Sequence, residues 1–540
     1  MELTRRGLLI GGAVGGGLLV AWNLLGERHY APPLSPGQGE YAFDAWLKIA
    51  RDGIVTVAVP QLEMGQGITT LLPQIVAVEL GADWRQVAVE PAPISGAYPN
   101  VPLAARWAPL WMPLAPSLAD APDAWLARRY AEGTRFAATA EGTSLAAYEG
   151  PLRAAAASAR ALLAMAAAAR WDVAWEECEA ENGFIRHGKK ALRFAELAAD
   201  AAGYTPPDPP PLRPEPASER PVDPAMAAPL PFPRLDLPAK VDGSYLFAGD
   251  VRLPDMVYAA IRHGPLPRAL LREFDKEAAA GSAGLLRVVH GKRWLAAVAS
   301  NWWAAEQALV KLHPRFALTG TLEGALIDEA LDSGVRRGKP QRIVEVGDGD
   351  AGLDKPDLAL RYDVAPATHA TLETASATAR LRDGKLELWI ASQAPEHARR
   401  AAARALGMAE RDVVLYPMPA GGSFDRRLEN DHAVEAALIA REAGRPVQLV
   451  WSRWQEHVAG RPRTPVAAVL AARTDKSGNI ATFRARLALP ATAREFGHRL
   501  FDDATGWAAI AAAEGKADPM AVEGAAPSYA IPNMAVDHVP

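Results

Sequence analysis

Gln61-Leu-Glu-Met-Gly-Gln-Gly-Ile-Thr-Thr70 is the stretch on which the reading of this chain turns. It follows the alternating apolar run Ile54-Val-Thr-Val-Ala-Val59. After it, residues 69–80 carry apolar side chains at three- and four-residue spacing and stop at Gly81. Strand, glycine turn, helix is the local expectation. Gly65 and Gly67 lack a Cβ, so backbone can approach a ligand closely, and Gln66 between them both donates and accepts hydrogen bonds. Thr69 and Thr70 add hydroxyls near a helix start, where N–H groups attract anions. Taken alone, the segment is equally well a tight strand-to-helix turn that needs two glycines.

A second loop, Ala420-Gly-Gly-Ser-Phe-Asp-Arg-Arg427, has the same character. Gly421 and Gly422 let the main chain pass close to a flat ligand, with the Phe424 ring beside it. Arg426 and Arg427 supply forked donors suited to phosphates, or else form a solvated basic tip. Two such loops, each ahead of a helical pattern, suggest a shared site for a large anionic cofactor. Elsewhere, residues 43–50 read as a strand paired with 54–59 around Arg51-Asp-Gly53. Residues 87–90 read as a further strand, and the alanine-rich run 151–170 as a helix. Residues 378–382 and 385–390 form a hairpin around Asp383-Gly384, and Ser392-Gln-Ala-Pro395 ends it and starts a helix to 406. The pattern is α+β (mixed α/β) and multidomain, with no strict βαβ repeat.

The 540 residues are 49% hydrophobic and 22% charged, which fits about two to four folded units. A net charge of −5 gives no general pull towards nucleic acid. Cys178 is the single cysteine, so the chain cannot build a disulfide, a zinc ribbon or an iron–sulfur cluster by itself. The eleven histidines, His369, His397, His432 and His457 among them, show no ligand spacing with a carboxylate. No nucleophile elbow or Walker loop is present, so difficult chemistry falls to a cofactor. At the start, Thr4-Arg5-Arg6-Gly7-Leu8-Leu9 places twin arginines ahead of an uncharged apolar run to Gly26. That is the layout of a twin-arginine export signal, or of an uncleaved anchor, over residues 1–30, and it points to the periplasm or the periplasmic face of the inner membrane. Residues 206–239 are proline-rich and read as an extended linker.

These motifs together resemble the large subunit of molybdenum hydroxylases of the xanthine dehydrogenase and aldehyde oxidase group, in the branch typified by the beta chain of isoquinoline 1-oxidoreductase. The residues that carry the likeness are Met64-Gly-Gln-Gly67, the 171–188 stretch with Glu181-Asn-Gly183, Asp250-Val-Arg-Leu-Pro-Asp-Met-Val-Tyr-Ala259, Ser392-Gln-Ala-Pro395 and the loop at Gly421. The resemblance implies a permuted molybdopterin-binding domain, in segments 31–205 and 342–540, around an a/b hammerhead-like domain at 240–335. It implies a molybdopterin cytosine dinucleotide with molybdenum, held by Gly65, Gln66, Gly67, Gly421, Gly422, Phe424, Arg426 and Arg427. Gln393 falls where the family places a glutamine beside the metal, and no protein side chain ligates it.

The implied reaction hydroxylates an aldehyde or N-heterocycle with oxygen from water. Electrons would leave through a small 2Fe–2S subunit or a c-type cytochrome. Three departures accompany the likeness. A TGGSTS-like stretch reads Thr139-Ala-Glu-Gly-Thr-Ser144, Ser423 stands for the third glycine of GGG, and Asp425 replaces the glycine after Phe424. Relatives are also expected to continue for roughly another third of their length, with a GxGE segment whose glutamate is the general base. No glutamate here is assigned that role, and the alternative reading is a non-catalytic scaffold or binding protein.

Overall fold

Asp44 breaks the first expected strand. Its φ of 59° turns the chain, so the stretch 43–50 is divided between β1 (Glu40–Phe43) and β2 (Leu47–Ala50), which pair antiparallel. The computed structural model describes residues 33–113, 115–120, 123–214, 232–265, 269–318, 320, 323–491, 496–497, 499–501 and 515–540. The expected leader at 1–30 and the middle of the proline-rich linker lie outside the described residues.

β3 (Val55–Val59) and β4 (Val87–Pro91) complete a four-stranded sheet in the order β1-β2-β3-β4. Between β3 and β4 runs α1 (Ile68–Leu80), capped at its C-terminus by Gly81 in the left-handed conformation. Because α1 begins at Ile68, Pro73 lies in its second turn rather than its first. The alanine-rich helix α2 (Ser144–Trp171) packs on α1 and is 28 residues long. Its length and apolar character would suit a membrane span, yet 67% of its most apolar window is buried inside the fold. It is a core helix, its small side chains letting α1 and the sheet approach closely.

The largest sheet joins chain segments that the sequence keeps far apart. Its order is β6-β7-β5-β13-β10-β11-β12, with β5 (Val257–His263), β6 (Leu285–His290), β7 (Trp294–Ala299), β10 (Ser376–Arg382), β11 (Lys385–Ile390), β12 (Val413–Pro417) and β13 (Val447–Val450). The joint is the parallel pairing of β13 with β5, Val447 opposite Val257. One face packs on α6 (Pro395–Leu406) and α7 (Asp431–Ala443), the other on α4 (Trp302–Leu312). A further sheet of five strands, β8-β16-β15-β14-β9, contains β8 (Gln341–Val346), β9 (Leu358–Val364), β14 (Val466–Thr474), β15 (Ile480–Ala488) and β16 (Asn533–Val539). It is covered in part by α5 (Gly324–Arg337).

The end of the expected linker forms a short helix, α3 (Leu237–Asp242), and Arg234 ties this strap to the first loop. Asp236 accepts from Arg234 at 2.9 and 2.7 Å and from Lys240 at 2.6 Å, while Arg234 also donates to the Gly65 carbonyl at 3.2 Å. Burial pushes the Asp236 carboxyl up, but Arg234 and Lys240 outweigh it and hold it at about 2. A depressed carboxylate contributes stability that is present above its unfolded value and lost as the pH falls through the folded one. We expect Asp236→Asn to lose about 2 kcal/mol at pH 7 and to show a shallower acid limb between about pH 4 and 2. Urea midpoints at pH 7, 4 and 2.5 check this, and parallel decline of both proteins over the lower interval would refute it.

Candidate functional site

The two glycine loops meet. The Ala420 amide donates to the Glu63 carbonyl at 2.8 Å, and Leu62, Met64, Ala391, Met418 and Ala420 pack together beneath them. Two further segments are knitted in by the main chain. Leu62 N–H donates to Thr139 Oγ1 at 2.9 Å, Thr139 N–H to the Gln393 carbonyl at 2.8 Å, and Gln393 N–H to the Arg427 carbonyl at 2.8 Å. Residues separated by more than 350 positions thus share one small region.

Within the first loop the amides are already engaged. The carboxylate of Glu63, 3% exposed, accepts from the Gly65 and Gly67 amides at 2.9 and 3.1 Å. It also takes the Thr69 amide at 3.1 Å and the Thr69 hydroxyl at 2.8 Å. Glu63 therefore occupies the anion position that the start of α1 creates. Gly67 caps that helix at φ 83°, a conformation that costs side-chain-bearing residues roughly 1–2 kcal/mol. Gln66 is exposed, and its amide closes on its own loop through Met64 N–H (2.8 Å) and the Leu62 carbonyl (2.8 Å). Sequence reasoning passed over Glu63. An acid just ahead of a helix start was the signal that could have found it.

The second loop is divided. Gly421 N–H donates to Glu373 at 3.0 Å, and a Cβ at Gly421 would sit 2.7 Å from that of Glu373. By contrast, the N–H groups of Gly422, Ser423, Phe424 and Asp425 have no partner among the described residues. Gly422, Phe424 and Asp425 have φ of 89°, 51° and 67°, so the backbone winds through the left-handed region and forms a concave run of amides. Phe424 is 63% exposed beside it. The φ at Asp425 explains why glycine suits that position.

Arg426 and Arg427 are neither phosphate donors at the surface nor a solvated tip. Both are buried, because the short turn after Asp425 carries them inward. Arg426 lies 3.2 Å from Glu429 and over the Trp451 ring at 5.2 Å, and Glu429 also receives Arg499 at 2.6 Å. Burial opposes both charges, yet Arg426 and Arg499 hold Glu429 below its usual range, and Glu429 and Glu456 hold Arg426 above its own. Arg427 donates to the Glu373 carbonyl at 2.6 Å.

Gln393 has no exposed surface. Its Nε2 donates to the Thr139 carbonyl at 2.8 Å and to Asp425 Oδ1 at 3.2 Å, and its Oε1 accepts from the Ser423 hydroxyl. The two side chains that stand in for glycines, Ser423 and Asp425, are therefore the groups that satisfy Gln393. Asp425 is turned inward, away from the free amides. His432 is buried, and burial together with Arg427 and Arg426 keeps it neutral. Among the described residues, no group of three or more His, Cys, Asp or Glu is placed to hold a metal ion. Beside the first loop, a cavity of about 240 Å³ opens between Leu62, Tyr98, Tyr245, Ser392 and Pro419, with Arg135 on its lining.

Comparison with known proteins places both loops in one family. Residues 14–101 and 335–509 each match a molybdopterin cofactor-binding domain, and these spans contain the first loop, Gln393 and the second loop. The chain is 28% identical over 475 residues to the beta chain of isoquinoline 1-oxidoreductase from Brevundimonas diminuta, covering 80% of this chain and 56% of that protein. It is 25% identical over 480 residues to a membrane-bound aldehyde dehydrogenase of Gluconacetobacter polyoxogenes, covering 84% of this chain and 56% of that one. A nicotinate dehydrogenase subunit of Pseudomonas putida is 26% identical, over 79% of this chain and 33% of its own length.

The chain thus spans about half, or less, of the length of these curated relatives. Among solved structures, aldehyde oxidoreductase from Desulfovibrio gigas superimposes at a TM-score of 0.41 and 18% identity, over 57% of this chain and 38% of that one. Carbon monoxide dehydrogenase from Oligotropha carboxidovorans does so at 0.39 and 18%, over 56% and 43%. With its two molybdopterin cofactor-binding matches and its homology to these subunits, the chain is a molybdenum hydroxylase large-subunit-like protein.

Proposed function

We propose that this chain is the molybdopterin-binding part of an exported oxidoreductase acting on an aldehyde or N-heterocycle. One observation carries the reading: the four free amides from Gly422 to Asp425 lie on a loop that is hydrogen-bonded to the MGQG loop. Such a run suits an anionic, planar group, with Phe424 as its apolar neighbour and the exposed Gln66 on the facing loop. On this reading the holding residues are Gln66 and the backbone of Gly422, Ser423, Phe424 and Asp425. Gly65, Gly67 and Gly421 shape the loops, and Arg426 and Arg427 brace the second one from behind. The bound group, a molybdopterin cytosine dinucleotide in this proposal, would supply the redox chemistry.

The cavity by Ser392 has room for a small apolar substrate. We assign the oxygen donor as water and the electron acceptor as a separate 2Fe–2S subunit or c-type cytochrome. The same proposal keeps segments 31–205 and 342–540 as the two halves of the cofactor-binding domain around a hammerhead-like unit at 240–335. It also keeps a periplasmic or periplasmic-face location.

A second reading, a non-catalytic scaffold, is favoured by one specific feature: every hydrogen-bonding direction of the Gln393 amide apart from one lone pair already faces the protein. Metal and pterin analysis of the chain, produced in a host that makes the dinucleotide, separates the two. We expect near-stoichiometric molybdenum, falling about tenfold in Gln66→Ala/Gly422→Ala, where the new Cβ meets a left-handed φ. A well-folded chain with neither metal nor pterin would favour the scaffold.

A further inference from the structure

A cavity of about 500 Å³, with Leu428 to Asp431 on its lining, has no role in the function proposed above. Its walls come from six separate parts of the chain: the β5 end, the β6–β7 hairpin, α6, the start of α7 with the residues just before it, the 451–461 stretch and Arg499. The charges on it are unevenly matched. Glu429 is neutralised by Arg426 and Arg499. Glu435 is neutralised by His263, whose Nε2 lies 2.6 Å from it. The His263 Nδ1 faces Gln455 Oε1 at 3.0 Å, and that oxygen is fixed because it also accepts the His263 backbone N–H at 2.7 Å. Both imidazole nitrogens thus point at oxygens, which suits an imidazolium beside a carboxylate.

Arg404 and Arg461 also line the cavity and have protein partners of their own. What remains is Asp431 against Lys292 and Arg293. Those two cations are exposed at the tip of the β6–β7 hairpin, and neither forms an ion pair among the described residues. The tight turn holds them there, for Gly291 N–H closes on the Trp294 carbonyl at 3.0 Å. The N-terminus of α7 also opens here, with no side-chain cap on its first turn. The lining also includes the apolar side chains of Trp294, Ala401, Ala405 and Val434.

We propose that this cavity binds a small phosphorylated organic molecule, its phosphate on Lys292 and Arg293 and its apolar portion against the Trp294 wall. Two exposed cations and apolar side chains on one cavity match a phosphate ester better than they match either a bare anion or a neutral apolar ligand. The site is independent of the molybdopterin reading, since it uses none of the residues assigned there.

Calorimetric titration of the full chain with inorganic phosphate and, separately, with phenyl phosphate tests it. The expected result is saturable binding of phenyl phosphate, weakened by added salt. It should be at least about tenfold weaker in Lys292→Ala/Arg293→Ala. Both residues are exposed on a turn, so this variant should unfold at the same urea concentration as the parent, which separates lost binding from lost folding. Tighter binding of phenyl phosphate than of inorganic phosphate would identify the ester as the ligand class. Equal affinity for the two would leave a phosphate-only site and overturn the apolar half of the proposal. No saturable binding of either probe, or binding unchanged in the double variant, would overturn the site.

Discussion

Glu63→Ala is expected to destabilise the chain by about 3 kcal/mol or more, because it strips the acceptor from four donors at once. The Gly67 and Thr69 donors lie at a helix start that packs against β3 and α2, where water replaces the carboxylate poorly. Glu63→Gln keeps an acceptor oxygen for the glycine amides but removes the charge and one acceptor, so a loss of about 1–2 kcal/mol is expected. Urea unfolding of the two variants measures the difference. If both unfolded within about 0.5 kcal/mol of the parent, the carboxylate would not be the anchor of this turn.

Arg426→Ala is expected to cost about 3–5 kcal/mol, since it leaves Glu429 buried with Arg499 as its remaining cation and removes the guanidinium from the Trp451 face. Cofactor lost from this variant would follow from loosening of the second loop, because the buried guanidinium is engaged by Glu429 and the Trp451 ring. A double-mutant cycle with Glu429→Gln tests the pairing. The double variant should be less destabilised than the sum of the single ones by about 1–3 kcal/mol. Additive losses would mean that Arg426 and Glu429 do not stabilise one another. Arg426→Lys gives a gentler control, keeping a cation but not the planar fork that faces both Glu429 and the tryptophan.

Local patterning predicted the elements around the site well, for reasons that are themselves local. The turn-to-helix signal at Gly67–Gly81 is a matter of φ preference and apolar spacing, and the helix 395–406 follows from Pro395 at its first turn and Gly407 after its last. Cys178 is half-buried, with its thiol near the Ala174 carbonyl at 3.9 Å. Burial pushes that thiol up, which lowers its thiolate fraction. Arg426 and Arg427 turn inward instead of forming a solvated tip, because side-chain direction after a left-handed residue is set by the turn, and sequence does not reveal the turn. Nor did any signal mark Glu373, which takes the Gly421 amide from 48 positions away.

By itself, the sequence determined that two glycine-bearing turns precede helices, that the chain mixes strands with helices, and that one cysteine cannot hold a cluster. Those properties depend on residues within a turn or two of each other. Only the tertiary structure decided that the turns touch through Glu63 and Ala420, that β13 joins β5 in one sheet, and which amides remain free. The physical reason is that a backbone donor is available to a ligand only when no acceptor from elsewhere in the chain has reached it first. The acceptors that matter here, Glu63 and Glu373, are placed by packing across the whole molecule.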